Sequence, residues 1–171
     1  MRYLITIILS AFLISCGGID TTHLISEEKA SAIPKKANTV IVTSNQSPDE
    51  AFDSVMAQIK EKEIDTEWQN EGNRAVKTKQ YAVDQQAALR MEIKVTEVDG
   101  GGSKITSTGE YSGVLVQKES VKVADALTGG NRADSEWKEN TWYYPRLNKR
   151  AFAGMVEFMS ELPHESISYE K

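Results

Sequence analysis

Residues 39–52, TVIVTSNQSPDEAF, decide how this chain folds. The first six are mostly β-branched, and such side chains fit a pleated, half-buried surface, so they predict a strand. Ser47-Pro48-Asp49-Glu50 follows at once. Ser47 is placed to accept from the free amides of a first helical turn, Pro48 suits the first helical position, and Glu50 completes a capping box. Phe52, Val55, Met56 and Ile59 then recur at helical spacing, predicting an amphipathic helix over residues 48–62. Asp49 and Glu50 complement the positive end of that helix, which accounts for them without catalysis. A strand running straight into a one-sided helix needs a sheet beneath it.

The chain beyond supplies the strands. Ile64, Thr66 and Trp68 alternate with Asp65, Glu67 and Gln69, which places Trp68 among the inward residues. After a turn at residues 70–73, residues 75–83 read as extended. Leu89, Met91, Ile93 and Val95 alternate with Arg90, Glu92, Lys94 and Thr96, the clearest half-buried strand in the sequence. Asp99-Gly100-Gly101-Gly102-Ser103 reads as a hairpin connection. Residues 105–111 return, with Lys104, Thr106, Thr108 and Glu110 outward. Residues 112–147 resist assignment, with an added strand or irregular arm over 114–124 and a turn near 128–131 as the available readings. Asn148 is expected to cap a second helix. Ala151, Met155, Phe158 and Leu162 form one apolar stripe of it, Phe152, Val156 and Met159 an adjacent one, and Pro163 ends it. Ile167 and Tyr169 suggest a short closing strand. The expected fold is α+β over residues 39–171: a two-layer sandwich with an antiparallel sheet of four to six strands and two helices on one face.

This order, carried by TVIVTSNQSPDEAF and by the hairpin ALRMEIKV…GSKITSTGEY, resembles the TBP-like β-α-β4-α arrangement over residues 39–162. That arrangement occurs in a lipoprotein subunit of the outer-membrane β-barrel assembly machine and in other lipoprotein families. The resemblance implies a fold and is of low functional specificity.

The N-terminus points the same way. Arg2 precedes a short apolar run over residues 3–12, below the about 20 residues a membrane-spanning helix needs, so it reads as a cleaved export signal. Leu13-Ile14-Ser15-Cys16 resembles the lipobox of bacterial lipoproteins. The resemblance implies cleavage before Cys16, a diacylglyceryl thioether on its sulfur, and an acyl chain such as palmitate on the new amine. Gly17 in place of Asp resembles lipoproteins sent on to the outer membrane. Cys16 is the sole cysteine of the chain, so an internal disulfide is excluded. The expected organisation is a signal peptide at 1–15, a lipidated N-terminus and flexible tether at 16–38, and one domain after it. As a coil, residues 17–38 would span about 25 Å on average.

Composition narrows the function. The chain carries 25 acidic and 20 basic residues, and cleavage would remove only Arg2 from that count. An acidic exported protein without a basic cluster argues against nucleic acid as partner. A sheet that stacks RNA bases presents aromatic rings, whereas the outward residues here are Lys, Glu, Arg and Thr, with Tyr81 the one exception. His23 and His164 stand in no metal-ligand spacing, and no serine lies in a GxSxG or SxxK context. GGGSK at residues 100–104 lacks the following helix that a phosphate loop requires. No two carboxylates share an apolar setting that would separate their pKa values. These patterns suggest neither an enzyme nor a cofactor or metal site. Trp137, Trp142, Tyr143, Tyr144 and Arg146 form an aromatic cluster that reads either as a cap on the core or as a partner contact, since Trp, Tyr and Arg dominate binding hot spots. The sequence therefore suggests a non-catalytic, lipid-anchored envelope protein, a protein-interaction or accessory scaffold module. Two alternatives are a binder of a small apolar ligand held between helices and sheet, and an inhibitor or immunity lipoprotein.

Overall fold

The computed structural model describes Thr21 and residues 23–113, 137–143 and 146–171. In chain order the elements are α1 (Glu27–Ala32), β1 (Thr39–Ser44), α2 (Pro48–Glu61), β2 (Thr66–Asn70), β3 (Ala75–Thr78), β4 (Tyr81–Ala82), β5 (Ala87–Glu97), β6 (Ser103–Gly113), β7 (Lys138–Glu139), α3 (Arg146–Glu161) and β8 (Ser166–Glu170). The capping box that opens α2 is present in both directions. The Ser47 hydroxyl accepts from the Glu50 amide at 3.4 Å, and the Glu50 carboxylate accepts from the Ser47 amide at 3.0 Å. Lys62 closes the helix, as the sequence spacing predicts.

The strands form one antiparallel sheet in the order β2-β3-β5-β6-β1-β8, with β4 added beside β5 and β7 beside β6. Its spine is the β5–β6 hairpin, paired residue for residue from Ala87↔Gly113 to Glu97↔Ser103. Gly100 and Gly101 turn the chain at φ +100° and +89°, in the left-handed region that side chains disfavour. Leu89, Met91, Ile93 and Val95 are buried on one face, opposite Tyr111, Gly109, Ser107 and Ile105. Val40 and Val42 of β1 extend that face. α3 lies across β5, β6 and β1, and α2 lies against β5 and β6. The α3 face formed by Ala151, Phe152, Met155, Val156, Phe158 and Met159 is buried as its spacing requires. Gly109 keeps the middle of β6 bare where a Cβ would meet Leu89 and Met155 at 3.0 and 3.5 Å, which lets α3 sit close. On the opposite face stand Arg90, Glu92, Lys94, Thr106, Thr108 and Glu110. The molecule is thus an open antiparallel sheet with its helices packed as a second layer, an α+β arrangement.

Five details differ from the sequence reading. Trp68 is 38 % exposed rather than inward. Thr66 pairs with Thr78 but Trp68 pairs with Lys77, so Glu67 is an extra residue in β2. Such a bulge hands every later side chain to the other face. The extended stretch over residues 75–83 is broken after Thr78, whose hydroxyl accepts the Met91 amide at 2.9 Å where the two strands part. Tyr81 turns its hydroxyl toward the Met91 sulfur, on the face of the sheet that the helices cover, and so is not an outward aromatic. Asn148 does not cap the second helix. It is the third residue of α3 and buried, and its amide pairs with Thr141 through two bonds of 2.7 and 2.8 Å.

The fifth difference concerns the expected tether at residues 16–38. From His23 onward this segment is docked. Ser26 caps α1 by accepting from Lys29, and Ile25, Ile33 and Ala37 are buried in the core cluster. Apolar side chains spaced Ile25, Ile33, Ala37 find a place on the domain that pattern reading could not supply. The readings for residues 114–124 and 128–131 lie outside the described residues.

The one-sided burial has a measurable consequence. Met91→Ala or Ile93→Ala is expected to cost about 2–5 kcal/mol of stability through lost burial and cavity formation. Glu92→Ala and Lys94→Ala should each remain within about 0.5 kcal/mol, as surface changes do. Urea denaturation of the four variants checks this, and similar losses on both faces would contradict the two-layer packing.

Candidate functional site

The open face of the sheet gathers the groups best placed to meet another molecule. Arg90 projects from β5 and stacks its guanidinium 4.5 Å from the centre of the Trp137 ring, while its Nε donates to Glu110 at 2.7 Å across the β5–β6 ladder. A cation over an indole face is attracted by the ring quadrupole, and the carboxylate bonded to its Nε helps to hold the guanidinium in that orientation. Lys77, Glu92, Thr108 and Glu139 complete a shallow groove of about 390 Å³ around this pair. Glu139 is held by Asn38, whose amide donates to it at 2.8 Å. Beside Lys77 on the same face lies Trp68, exposed by the bulge. Exposed ion pairs such as Lys77–Glu67 at 3.4 Å stabilise by no more than about 1 kcal/mol. Their effect here is to position side chains. The surface offers two indole rings, charges of both signs and hydroxyls, a composition suited to recognition.

The aromatic cluster read from the sequence is divided by the fold. Trp137 belongs to the open face. Trp142 is buried in the core, its ring tilted against Phe152 with centroids 5.9 Å apart. Its amide donates to the Ala37 carbonyl at 2.6 Å and its carbonyl accepts from Lys36 at 3.0 Å, so its ring is placed as a cap on the core. Tyr143 is 39 % exposed, with Lys35 and Lys36 against its ring. Arg146 is the exposed first residue of α3. Tyr144 and Cys16 lie outside the described residues. Sequence reasoning missed Arg90, Glu110 and Trp68 as site residues. The first two were legible as outward residues of β5 and β6, but their pairing with Trp137 depends on β7 returning to the end of β6.

A second concavity lies between the end of α2, the middle of α3 and β4. Lys62, Ile64, Tyr81, Val83, Gly154 and Glu157 line about 190 Å³, less than the roughly 300–1,000 Å³ of usual small-molecule sites. Burial and the Glu157 charge hold the Tyr81 phenol well above its ordinary pKa. Burial also raises the Glu157 carboxyl; Glu161 adds to the rise, while Lys62 and His23 oppose it. Nearby, burial of Asp84 is outweighed by the amides of Gln86 and Ala87 and by the Arg150 guanidinium, which together hold its carboxyl low. A Cβ at position 154 would collide with Val83, so glycine there is a packing requirement. An apolar ligand would meet a small, partly charged cleft.

Among the described residues no group of three His, Cys, Asp or Glu side chains is placed to hold a metal ion, and no helix is long and apolar enough to cross a membrane. Compared with known proteins, the chain matches no family model and no curated protein sequence.

Two outcomes are expected from this geometry. Trp142→Ala should cost about 3–5 kcal/mol as a buried ring is lost, whereas Trp137→Ala should stay below about 1 kcal/mol, the scale of an exposed cation–π contact. Thermal denaturation of the pair reads the difference. A raised carboxyl pKa means that the folded state binds the proton more tightly than the unfolded chain. Stability from Glu157 is therefore full below its ordinary pKa of 4.5 and lost as pH rises through the raised value. Glu157→Gln should remove that decline, so the variant gains on the wild type from mildly acidic to neutral pH. A urea midpoint series across this range measures it, and parallel curves would contradict the assigned shift.

Proposed function

We propose that this chain is a lipid-anchored bacterial cell-envelope protein, attached through Cys16, whose α+β domain acts without catalysis by binding another envelope protein. The observation that carries the proposal is the open sheet face, where Trp137 stacks on Arg90 and Trp68 is turned outward by a bulge. Half-exposed indole and guanidinium groups at the centre of a polar field are the usual anchors of protein interfaces. The lipobox resemblance and Gly17 support retention at the outer membrane. The small-ligand alternative has the weaker footing, because the cleft beside Tyr81 is small and bordered by Lys62 and Glu157. A scaffold and an inhibitor or immunity protein would use the same surface and differ in the partner bound.

The test uses the full chain in its native envelope. A photo-crosslinking residue at position 68 or 137 should give one discrete protein adduct, and at Asp53, on the solvent side of α2, none. Equal labelling from all three positions, or none from the open face, would remove the proposal. For the anchor, Cys16→Ser should abolish incorporation of labelled fatty acid and release the protein from the membrane fraction. Continued processing and membrane retention of that variant would show that Cys16 is not the attachment point.

A further inference from the structure

Residues distant in sequence bring four cations and two aromatic rings to one end of the molecule. The Lys35 and Lys36 ammonium groups lie 5.0 and 5.8 Å from the centre of the Tyr143 ring. Lys149 lies 5.0 Å from the neighbouring Trp142 ring, and Arg146 precedes it by three residues on α3, hence on the same helix face. The segments are tied together, since the Lys36 amide donates to the Trp142 carbonyl and the Trp142 amide to Ala37. Other cations of the protein, such as Lys62, Arg74, Arg90 and Arg150, form ion pairs, whereas Lys35, Lys36, Arg146 and Lys149 form none with the described residues. Among the described residues, Tyr143 is one of the two large apolar side chains left most exposed. Glu139 stands at the border, bonded by Asn38.

The N-terminal segment reaches the flank of the same helix, α3. His23 stands 3.5 Å from Asp84, and Asp84 is bound to Arg150, the residue after Lys149. Thr21 is buried there, its carbonyl accepting from the Leu24 and Ile25 amides. From Cys16 to Thr21 the chain can reach at most about 18 Å, at no more than ~3.6 Å per residue. A lipid on Cys16 would thus hold Thr21 within about twice the ~8 Å screening length of physiological salt from the bilayer. The whole chain is acidic, with a formal charge of −5, so attraction to an anionic surface requires this end to approach first. Tyrosine is also favoured at headgroup level, where a ring with a polar tip is solvated at both ends.

We propose that the Lys35–Lys36–Tyr143–Arg146–Lys149 end is a docking surface for the anionic phospholipid headgroups of the membrane that carries the anchor. The proposal rests on the lipid-anchor reading for its setting, and its test is independent of that reading. The chain from residue 16 onward bearing Cys16→Ser keeps every residue of the described fold and carries no lipid. It is floated with vesicles of phosphatidylcholine alone or of phosphatidylcholine and phosphatidylglycerol in equal parts. Binding is expected only to the anionic vesicles and is lost in high salt. Since each basic residue near such a surface contributes roughly five-fold to partitioning, Lys35→Glu with Lys36→Glu should weaken binding by about 25-fold or more. The milder pair Lys35→Gln with Lys36→Gln should fall between, and guards against a folding defect. Lys94→Glu with Lys104→Glu, on the open sheet face, should change it little. No binding to anionic vesicles, equal binding to neutral ones, or equal loss from the open-face pair would overturn the proposal. Fatty-acid labelling at Cys16 reports separately on the anchor.

Discussion

The long β5–β6 ladder is the constraint on which the rest of the structure depends. Eleven consecutive pairings, from Ala87↔Gly113 to Glu97↔Ser103, set which side of the sheet each residue faces. A slip by one residue would send Met91 and Ile93 to water and Arg90 and Glu92 into the core. The turn at Gly100 and Gly101 and the close approach of Gly102 resist that slip. A Cβ on Gly102 would come within 2.6 Å of the Ser44 carbonyl, so the hairpin tip and the end of β1 are fitted to one another. β1 is in turn registered on β6, and β8 on β1, so a single alignment propagates through four strands.

That alignment makes the two faces chemically different. One is filled by α2 and α3, with Phe152, Phe158, Met155 and Met159 fully inside, and its composition serves cohesion. The other carries paired charges and hydroxyls, and there the rings of Trp68 and Trp137 gain their exposure from local departures in the ladder: a bulge in β2 and a short strand, β7, laid on β6. Irregularities in a sheet re-aim side chains, and in this protein they lie where recognition is proposed. The charges divide as well. Arg90 is committed to Glu110 and Trp137, whereas Lys35, Lys36, Arg146 and Lys149 are assembled at the end where the N-terminal segment docks, the arrangement from which a membrane-facing end is inferred.

The docked segment changes how the domain relates to what precedes it. Ile25, Ile33 and Ala37 belong to the same buried cluster as Phe152 and Val40, so α1 is part of the folded unit and residues 23–38 are not a spacer. A short link restricts orientation as well as distance, because a domain held within a few residues of its attachment point has few faces it can turn toward that point. In the proposed setting, this makes the composition of that end consequential.

The sequence by itself determined the elements whose signals are local. The capping box at Ser47, the period-2 pattern from Leu89 to Val95, the glycine turn and the apolar stripes of the last helix each follow from interactions within a few residues, and each stands where the pattern put it. From one strand, a one-sided helix and a hairpin the α+β layering followed, since such faces must cover one another. The tertiary structure decided what depends on partners far along the chain. The extra residue at Glu67 has no mark in the pattern, yet it moved Trp68 from the core to the surface. Trp142 and Trp137, five positions apart, went to the core and the open face because Ala37 claims one backbone and β6 the other. Four cations that form no cluster in the sequence became neighbours only when residues 36–37 paired with Trp142. Local chemistry fixes the pieces, whereas surfaces form where distant segments meet, and their energetics exist only after folding.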